Sequence, residues 1–319
     1  MPKAGTDLPK AIRQLCQEKN AIILAHYYTD APLQQVADFV GDSLQLARLA
    51  ANTEADIIVM VGVHFMGETC KILCPKKKVL VPDAAATCSL AECCPAKDFK
   101  TFLKDYPDHT VVTYINTTAE LKALTDICVT SSNALQIVEA LPVDKPIVFA
   151  PDRNLGRYIQ QKTGREMVLW DGCCHVHDRF SAEGLRQLRE QYPDAPILAH
   201  PECRKEVVEM ADVVGSTAAL LKFTKQTDHQ RYIVATESGI IFQMKQASPD
   251  KVFIPLPPNV SEGVCKDCNM CEYMRMNTLE KVYEALLHEQ PEVIVDEAVA
   301  QRALLPINKM LELSARLGL

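Results

Sequence analysis

The chain has 319 residues, of which 48% are hydrophobic and 24% charged, with a net charge of -7 at pH 7. This is the composition of a globular protein with two or three buried cores. The acidic balance and the absence of a basic patch argue against a nucleic-acid partner, and no apolar run reaches the roughly 18 residues that cross a membrane. The first 20 residues lack an apolar signal core and predict an amphipathic helix, so we expect a cytoplasmic protein.

The predicted strands follow a threefold repeat. Each repeat opens with a short apolar strand that ends in polar residues, beginning at Ala21, Thr110 and Ala195. A helix follows, then a second strand preceded by an acidic residue, then a third strand that ends in an acidic turn. The acids marking the second and third strands are 27, 26 and 25 residues apart, in the pairs Asp56 and Asp83, Asp126 and Asp152, Asp212 and Glu237.

Short, uniformly apolar strands that alternate with helices are typical of parallel sheets covered on both faces. The sequence therefore predicts an α/β fold of three homologous αβα sandwich domains, over residues 1–108, 109–193 and 194–319, with helices closing the C-terminus. Arranged about a pseudo-threefold axis, the sheets would direct their carboxyl ends at a central active site. Those ends carry three polar groups of residues: His26, Tyr27 and Tyr28; Tyr114, Ile115 and Asn116; His200, Pro201 and Glu202.

The thirteen cysteines are many for a reducing cytosol, where disulfides are rare. Cys16, Cys70 and Cys128 lie among apolar or helical positions and are interpreted as small buried hydrophobic residues. The turn-like segments ATCSLAECC, DGCCHVH and GVCKDCNMC follow the three predicted third strands, so each repeat offers at least one thiolate. One thiolate from each repeat could meet the others at a metal site.

The cysteine spacing alone leaves the metal open. Structural zinc takes four ligands, and His175 or His177 could complete a zinc site with the run from Cys265 to Cys271. That run is similar to a bacterial ferredoxin motif, but Arg275 stands where the fourth cysteine would be. A cubane cluster held by three cysteines keeps one iron open as a Lewis acid for a substrate oxygen. No dinucleotide, ATP or nucleophile-elbow motif offers another chemistry.

Ten short segments resemble the quinolinate synthase family, in the family's order, from about Ala21 to about Ala285. They are ILAHYY, GDSLQLA, ATCSLA, TYINTTAE, TSSNA, APDRNLG, CHVH, AHPEC, GSTAAL and CNMCEYMRMNTL. The resemblance implies three homologous αβα domains around a central active site, and a [4Fe-4S] cluster held by Cys88, Cys174 and Cys271. It also implies the reaction, in which iminoaspartate condenses with dihydroxyacetone phosphate to give quinolinate, phosphate and water for NAD synthesis.

Two assignments depend on how the motifs match. The family's ligand in GCCHVH is Cys174, which makes Cys173 a neighbour, and the family's ligand in the cysteine run is Cys271. Cys265 and Cys268 are additional to the shorter family members. They could form a redox-sensitive disulfide or stay as spare thiols.

The resemblance also implies roles for the polar strand ends. His26 would bind substrate and Tyr28 would transfer protons, while His200 and Glu202 would be their counterparts in the third repeat, with Glu202 as a general acid or base. The remaining expected substrate contacts are Ser43, Tyr114, Asn116, Ser131, His177 and Thr217. Three of these, Ser43, Ser131 and Thr217, could equally be helix caps, and His177 could be a plain buried histidine.

The expected partners are the two small-molecule substrates, with no nucleic acid and no membrane. A transient contact with the enzyme that produces iminoaspartate and a homodimer are further expectations, although the sequence does not fix the oligomeric state. Three alternatives stay open: a zinc-stabilised binding or regulatory protein, an electron carrier or redox sensor, and a different cluster-bearing dehydratase on the same fold. The metal content of the anaerobically purified protein separates the first of these from a cluster enzyme.

Overall fold

A computed structural model gives the fold of the chain and describes residue 5, residues 7–258 and residues 269–319. Cys265 and Cys268, whose pairing the sequence leaves open, lie outside the described residues. None of the helices in the described ranges combines the length and hydropathy that a membrane span requires.

The strands form three four-stranded sheets. The first sheet contains β1 (Ala21–His26), β2 (Phe39–Gly41), β3 (Ile57–Val61) and β4 (Lys78–Leu80). The second contains β5 (Thr110–Tyr114), β6 (Ile127–Val129), β7 (Ile147–Ala150) and β8 (Met167–Leu169). The third contains β9 (Ile197–Ala199), β10 (Val213–Val214), β11 (Arg231–Ala235) and β12 (Val252–Pro255). Each sheet has the same spatial order, in which the second strand is followed by the first, third and fourth.

Helices connect and cover the strands, which confirms the predicted class of three parallel sheets flanked by helices. Those in the first repeat are α1 (Leu8–Glu18), α2 (Ala31–Val36), α3 (Ser43–Asn52), α4 (His64–Leu73), α5 (Ser89–Glu92) and α6 (Ala96–Phe102). The next are α7 (Ala119–Lys122), α8 (Ala134–Ala140), α9 (Arg153–Thr163), α10 (Ala182–Gln191), α11 (Lys205–Met210), α12 (Thr217–Gln226) and α13 (Ile240–Ala247). The chain ends with α14 (Glu272–Arg275), α15 (Leu279–His288) and α16 (Glu297–Arg316), and single 3-10 turns cover Leu103–Asp105 and His177–Arg179.

The uniformly apolar strands become the cores of their sheets. On the first sheet, α1 and α15 bury an apolar cluster that includes Ile12, Ile23 and Leu286. Cys16 belongs to this cluster, and Cys70 and Cys128 are also buried, so the interpretation of these three as small hydrophobic residues is confirmed. Burial on both faces explains why the strands show no polar alternation.

The structure corrects the strand assignment in the first repeat. The acid that precedes the second strand there is Asp38, not Asp56, because Asp56 precedes β3. Asp38 and Asp212 make the same contacts: each carboxylate accepts a first-strand N–H at 2.7 Å, from Ile23 and Ile197. The three-residue β2, with an exposed Phe39, is too short for an apolar pattern to reveal.

The cysteine segments lie at a different place in the repeat from the predicted one. They follow the fourth strand of each sheet, namely β4, β8 and β12, and not the third strand as the sequence predicted. Each repeat therefore supplies a cysteine segment at the same position, as expected, but that position follows the fourth strand.

Packing divides the chain into two compact units. One comprises Met1–Thr101, Ile115–Cys128 and Glu272–Glu312, and the other comprises Phe102–Tyr114, Val129–Cys271 and Leu313–Leu319. The first unit contains the first sheet with α15, and the second unit contains the third sheet. The predicted boundaries at residues 108 and 193, and the pseudo-threefold axis, stay predictions.

Candidate active site

The strand register places the predicted polar residues at equivalent positions. In each sheet the first strand pairs with the third, in the pairs Ala25 and Val61, Thr113 and Ala150, Ala199 and Ala235. The next residue along each first strand is therefore equivalent in the three repeats: His26, Tyr114 and His200. Two residues later come Tyr28, Asn116 and Glu202. Parallel strands thus bring each pair to the carboxyl edge of its own sheet, where α/β enzymes bind ligands.

Glu202 is the centre of a buried hydrogen-bond network in the second unit. The Tyr114 hydroxyl donates to Oε1 of Glu202 at 2.7 Å, and Nδ1 of His177 lies 3.0 Å from Oε2. Nδ1 of His200 lies 3.6 Å from Oε1. The side chains of Glu202, His177 and His200 are almost fully buried, so their interactions are not weakened by solvent.

The network fixes the electrostatics of Glu202. Burial alone would raise the pKa of this carboxyl, but the neighbouring His200 and His177 and the Tyr114 hydrogen bond hold the pKa well below its usual range. Asp152 shows the opposite behaviour: burial, followed by the charge of Glu202, raises its pKa well above the ordinary value. Two buried carboxyl groups whose pKa values are pushed apart are a recurrent feature of active sites.

His177 connects Glu202 to a cysteine and to a hydroxyl. Its Nδ1 lies 3.3 Å from Sγ of Cys174, and its Nε2 lies 2.9 Å from Oγ1 of Thr236. Since an ionised Glu202 only accepts, we place a proton on Nδ1 of His177, which donates to Oε2. Candidate ligand atoms of Cys174, His177 and Glu202 lie within 4.8 Å of one another, so this trio could hold a metal ion.

His26 and Tyr28 form a matching arrangement in the first unit. The backbone N–H of Tyr28 donates to Nδ1 of His26 at 3.2 Å, and the two rings meet edge to face with centroids 4.6 Å apart. The equivalent bond in the third repeat joins the N–H of Glu202 to Nδ1 of His200 at 3.4 Å. In both histidines Nδ1 therefore accepts, which leaves Nε2 as the donor in the neutral ring.

Asn116 has an unused polar atom. Its Oδ1 is buried and has no hydrogen-bond partner among the described residues. The preceding residue, Ile115, lines a small cavity of about 10 Å³ together with Ser43, Phe65 and Thr69. An orphaned buried oxygen costs stability unless a ligand or water satisfies it, so Asn116 is well suited to a substrate contact.

The structure decides against the helix-cap alternative for three hydroxyl residues. The N-cap of α3 is Asp42 and that of α12 is Ser216, so Ser43 and Thr217 are the first residues inside their helices. Ser131 lies in the turn before α8, whose N-cap is Asn133. At the first helical position, Ser43 and Thr217 still lie where backbone N–H groups and the helix dipole favour an anion.

A recurrent backbone hydrogen bond ties each cysteine segment to its sheet. In every repeat, the N–H three residues after the third strand donates to the carbonyl two residues before a cysteine; we call this bond the cysteine tether. The donor–acceptor pairs are His64 and Ala86 at 2.7 Å, Arg153 and Gly172 at 2.8 Å, and Ser238 and Asn269 at 3.1 Å. The cysteines selected by this geometry are Cys88, Cys174 and Cys271.

The chemistry of these thiols suits a metal site. Cys88, Cys174 and Cys271 are partly exposed, whereas Cys16, Cys70, Cys74, Cys94, Cys128 and Cys203 are buried. Burial raises the pKa of a thiol, as it does for Cys94, and so disfavours the thiolate that binds metal. Cys174 and Cys271 also pack against the same apolar cluster of the third sheet. The approach of Cys88 to these two stays a prediction.

Two acidic residues near the cysteines have a role that the sequence did not reveal. Asp152 accepts the N–H of Cys174 at 3.1 Å, and Glu237 accepts the N–H of Cys271 at 3.0 Å. Burial raises the pKa of Glu237 to about 8, and the N–H groups that it accepts oppose this rise. Both acids belong to the sequence repeat, at the end of its third strand. That position was the one signal in the sequence that could have identified them, but it does not show that they accept the cysteine N–H groups.

The fold and site together define an α/β enzyme with a buried acid–base network at the carboxyl edge of its parallel strands and cysteines beside it. The chain belongs to the family described as quinolinate synthetase A protein, whose model matches residues 10–312. It is 55% identical over 308 residues to a quinolinate synthase of Synechocystis sp., covering 97% of this chain and 96% of the relative. A quinolinate synthase of Synechococcus sp. is 54% identical over 309 residues, with the same two coverages. One of Thermosynechococcus vestitus is 52% identical over 313 residues, covering 98% and 97%.

Proposed function

We propose that the chain condenses iminoaspartate with dihydroxyacetone phosphate to form quinolinate, as a quinolinate synthase of NAD biosynthesis. The observation that carries the proposal is family membership across residues 10–312, with relatives of that name at more than half identity. Their coverage of nearly the whole of both chains supports the transfer of the activity.

We further propose a [4Fe-4S] cluster held by Cys88, Cys174 and Cys271. The support is the cysteine tether, which distinguishes Cys174 from the adjacent Cys173, and the partial exposure of all three thiols. When bound, such a cluster would supply an open iron as a Lewis acid for a substrate oxygen. Cys88 is included as the third ligand because of the family resemblance.

Donors for two anionic substrates are available at the strand and helix ends. His26 and Asn116 offer a ring N–H and an amide, and Ser43 and Thr217 offer hydroxyl groups at the starts of α3 and α12. Ser131 adds a hydroxyl in the turn before α8. Charge-assisted hydrogen bonds of this kind bind carboxylate and phosphate groups.

Proton transfer is assigned to the buried network and to Tyr28. Glu202 accepts hydrogen bonds from Tyr114 and His177, two groups that can exchange a proton with it, and this supports its role as a general acid or base. His200 lies beside it, with Nδ1 3.6 Å from Oε1. Tyr28, equivalent to Glu202 in the first repeat, would exchange protons through its hydroxyl.

An anaerobic assay tests this proposal. The purified chain, with and without reconstituted cluster, is supplied with freshly generated iminoaspartate and dihydroxyacetone phosphate, and quinolinate is measured by chromatography. We expect the reconstituted protein to form quinolinate, and the protein without cluster to form none. A reconstituted protein that forms none would contradict the assigned activity, and zinc in place of iron would favour the Cys174, His177 and Glu202 trio as the metal site.

The proposal extends to location and partners. We place the enzyme in the cytoplasm, with a transient contact to the enzyme that produces iminoaspartate and assembly as a homodimer. Light scattering of the purified chain measures the mass, and a monomer of 35.5 kDa would contradict the homodimer.

A further inference from the structure

Asp152 and Glu237 occupy the same place in two repeats. Val61, Ala150 and Ala235 are equivalent by register, and each acid lies two residues after its equivalent, Asp152 after Ala150 and Glu237 after Ala235. Both side chains are fully buried. In the first repeat the equivalent residue is Val63, which has no side-chain acceptor.

Each carboxylate uses both oxygens in the same way. One oxygen accepts a local N–H at the start of the following helix segment, from Leu155 at 2.8 Å for Asp152 and from Gly239 at 2.6 Å for Glu237. The other oxygen accepts the N–H of a distant cysteine, at 3.1 Å for Cys174 and 3.0 Å for Cys271. The same arrangement in two unlike sequences indicates a common purpose beyond helix capping.

We propose that Asp152 and Glu237 are positioning residues that hold the backbone of Cys174 and Cys271, so that both thiols are set in place before a metal group binds. The cysteine tether fixes the carbonyl two residues before each cysteine, and the carboxylate fixes the cysteine's own N–H. These two bonds hold the backbone on the N-terminal side of each cysteine and so restrict the direction in which its side chain leaves the chain. This inference rests on the proposed cluster and its ligands.

A residue that orients a metal ligand without binding the metal itself matters, because the ligands of a metal site must be held rigidly. Removing residues that orient ligands typically costs about 10- to 100-fold in metal affinity. Since each carboxylate bonds the backbone N–H of a cysteine, its loss should appear in how long the cluster is retained.

Amide variants separate the two roles of each carboxylate. In Asp152→Asn, the remaining oxygen still caps α9 by accepting from Leu155, because Asn is as good an N-cap as Asp. The new amide group then faces the Cys174 N–H with a donor, and that bond is lost. Glu237→Gln has the same effect, since both oxygens of Glu237 already accept. Asp152→Ser is a second variant that keeps the cap but is too short to reach Cys174.

The control is Asp212→Asn in the third sheet. This carboxylate also accepts a backbone N–H, from Ile197 at 2.7 Å, and a hydrogen bond from Arg189 at 2.6 Å, and it precedes β10 and not a cysteine segment. Since one oxygen, Oδ2, accepts both bonds, this variant reports the cost of neutralising a backbone-bonded carboxylate in the same sheet.

The experiment measures iron release from the reconstituted full chain to an excess of chelator, together with the thermal midpoint of the apoprotein. We expect release about 10- to 100-fold faster than wild type in Asp152→Asn, Asp152→Ser and Glu237→Gln, with midpoints close to that of Asp212→Asn. Release in Asp212→Asn should match wild type. Release at the wild-type rate in the three variants, or equal acceleration in Asp212→Asn, overturns the proposal.

The outcome is distinguishable from a failure of the assigned activity. If wild type retains a cluster but forms no quinolinate, the activity is wrong, and the positioning roles are still judged by iron release. If wild type takes up no iron–sulfur cluster under reconstitution, the positioning roles are wrong together with the cofactor.

Discussion

The first repeat and the other two hold their cysteine segments by different means. All three use the cysteine tether, but only the second and third add a buried carboxylate that accepts the cysteine N–H. The first repeat places Val63 at that position. Asp83 instead holds the cysteine segment of the first repeat. Its carboxylate accepts the N–H of Ala85 at 2.8 Å and pairs with Lys281 of α15 at 2.5 Å.

The difference shows how a repeated fold can reach one result with unlike interactions. Asp152 and Glu237 act inside the protein, where solvent does not screen a hydrogen bond. The Lys281 side chain is 43% exposed, and ion pairs of this kind are weak and screened by salt. We therefore expect the first repeat to hold its cysteine segment less firmly than the other two.

The largest expected effect is a loss of kcat when Glu202 of the third repeat is changed, compared with a change of the equivalent Tyr28 in the first repeat. Glu202→Gln removes the buried charge that Tyr114 and His177 contact, and general acid–base groups contribute about 10²- to 10⁴-fold to rate. We expect kcat to fall by that range, and Tyr28→Phe to lower kcat less, because Tyr28 is only partly buried. Steady-state kinetics of quinolinate formation measure both, with Glu209→Gln on the exposed face of α11 as the control. Equal losses in Glu202→Gln and Glu209→Gln would rule out the assigned role.

The next effect concerns the cysteines themselves. Although only two repeats have a carboxylate, Cys88→Ser, Cys174→Ser and Cys271→Ser should each lower cluster content and activity by at least about 100-fold, since loss of a ligand exceeds loss of an outer partner. Iron and sulfide analysis after reconstitution measures this.

Cys93→Ser is the matched control, because Cys93 lies in the same segment as Cys88 but is exposed. We expect full cluster content in this variant. A Cys88→Ser protein with full cluster would show that the first repeat does not supply a ligand.

A smaller effect is expected at the second repeat's equivalent position. Asn116→Ala removes an oxygen that has no partner among the described residues, so the thermal midpoint should not fall. A hydrogen bond to a charged ligand contributes about 1.5–3 kcal/mol, so we expect KM to rise by about 10- to 100-fold. An unchanged KM with a lowered midpoint would mean that Asn116 is structural. Asn52→Ala, at the exposed end of α3, is the control.

The smallest effect is expected at the Asp83–Lys281 pair. Burial acts to raise the pKa of Asp83, but Lys281 and the Ala85 N–H hold it below the ordinary value. A lowered pKa stabilises the fold above the unfolded value near 3.9, and the stabilisation is lost as pH falls below that. Lys281→Met should therefore lower the apoprotein midpoint at pH 7 by about 1–3 °C, and by less at pH 3. Calorimetry at both values measures this, and an equal shift at both would exclude the ion pair as the cause.

Much of the fold was predictable from local pattern. The apolar strands and their polar ends could be read from the sequence because full burial selects uniformly apolar segments, and β1, β5 and β9 lie where the pattern indicated. The short β2 was missed, because three residues with one exposed phenylalanine carry no periodic signal. That omission shifted the first repeat by one strand and turned Asp56 into a false equivalent of Asp212.

The sequence by itself determined the class of fold, the residues at the strand ends and the family resemblance, because residue type and spacing encode burial and chemistry locally. Only the tertiary structure decided which atoms meet. The bonds from Asp152 to Cys174 and from Glu237 to Cys271 join residues 22 and 34 positions apart. A carboxylate finds such a partner only when strand register and burial bring the two together, and no local pattern records that.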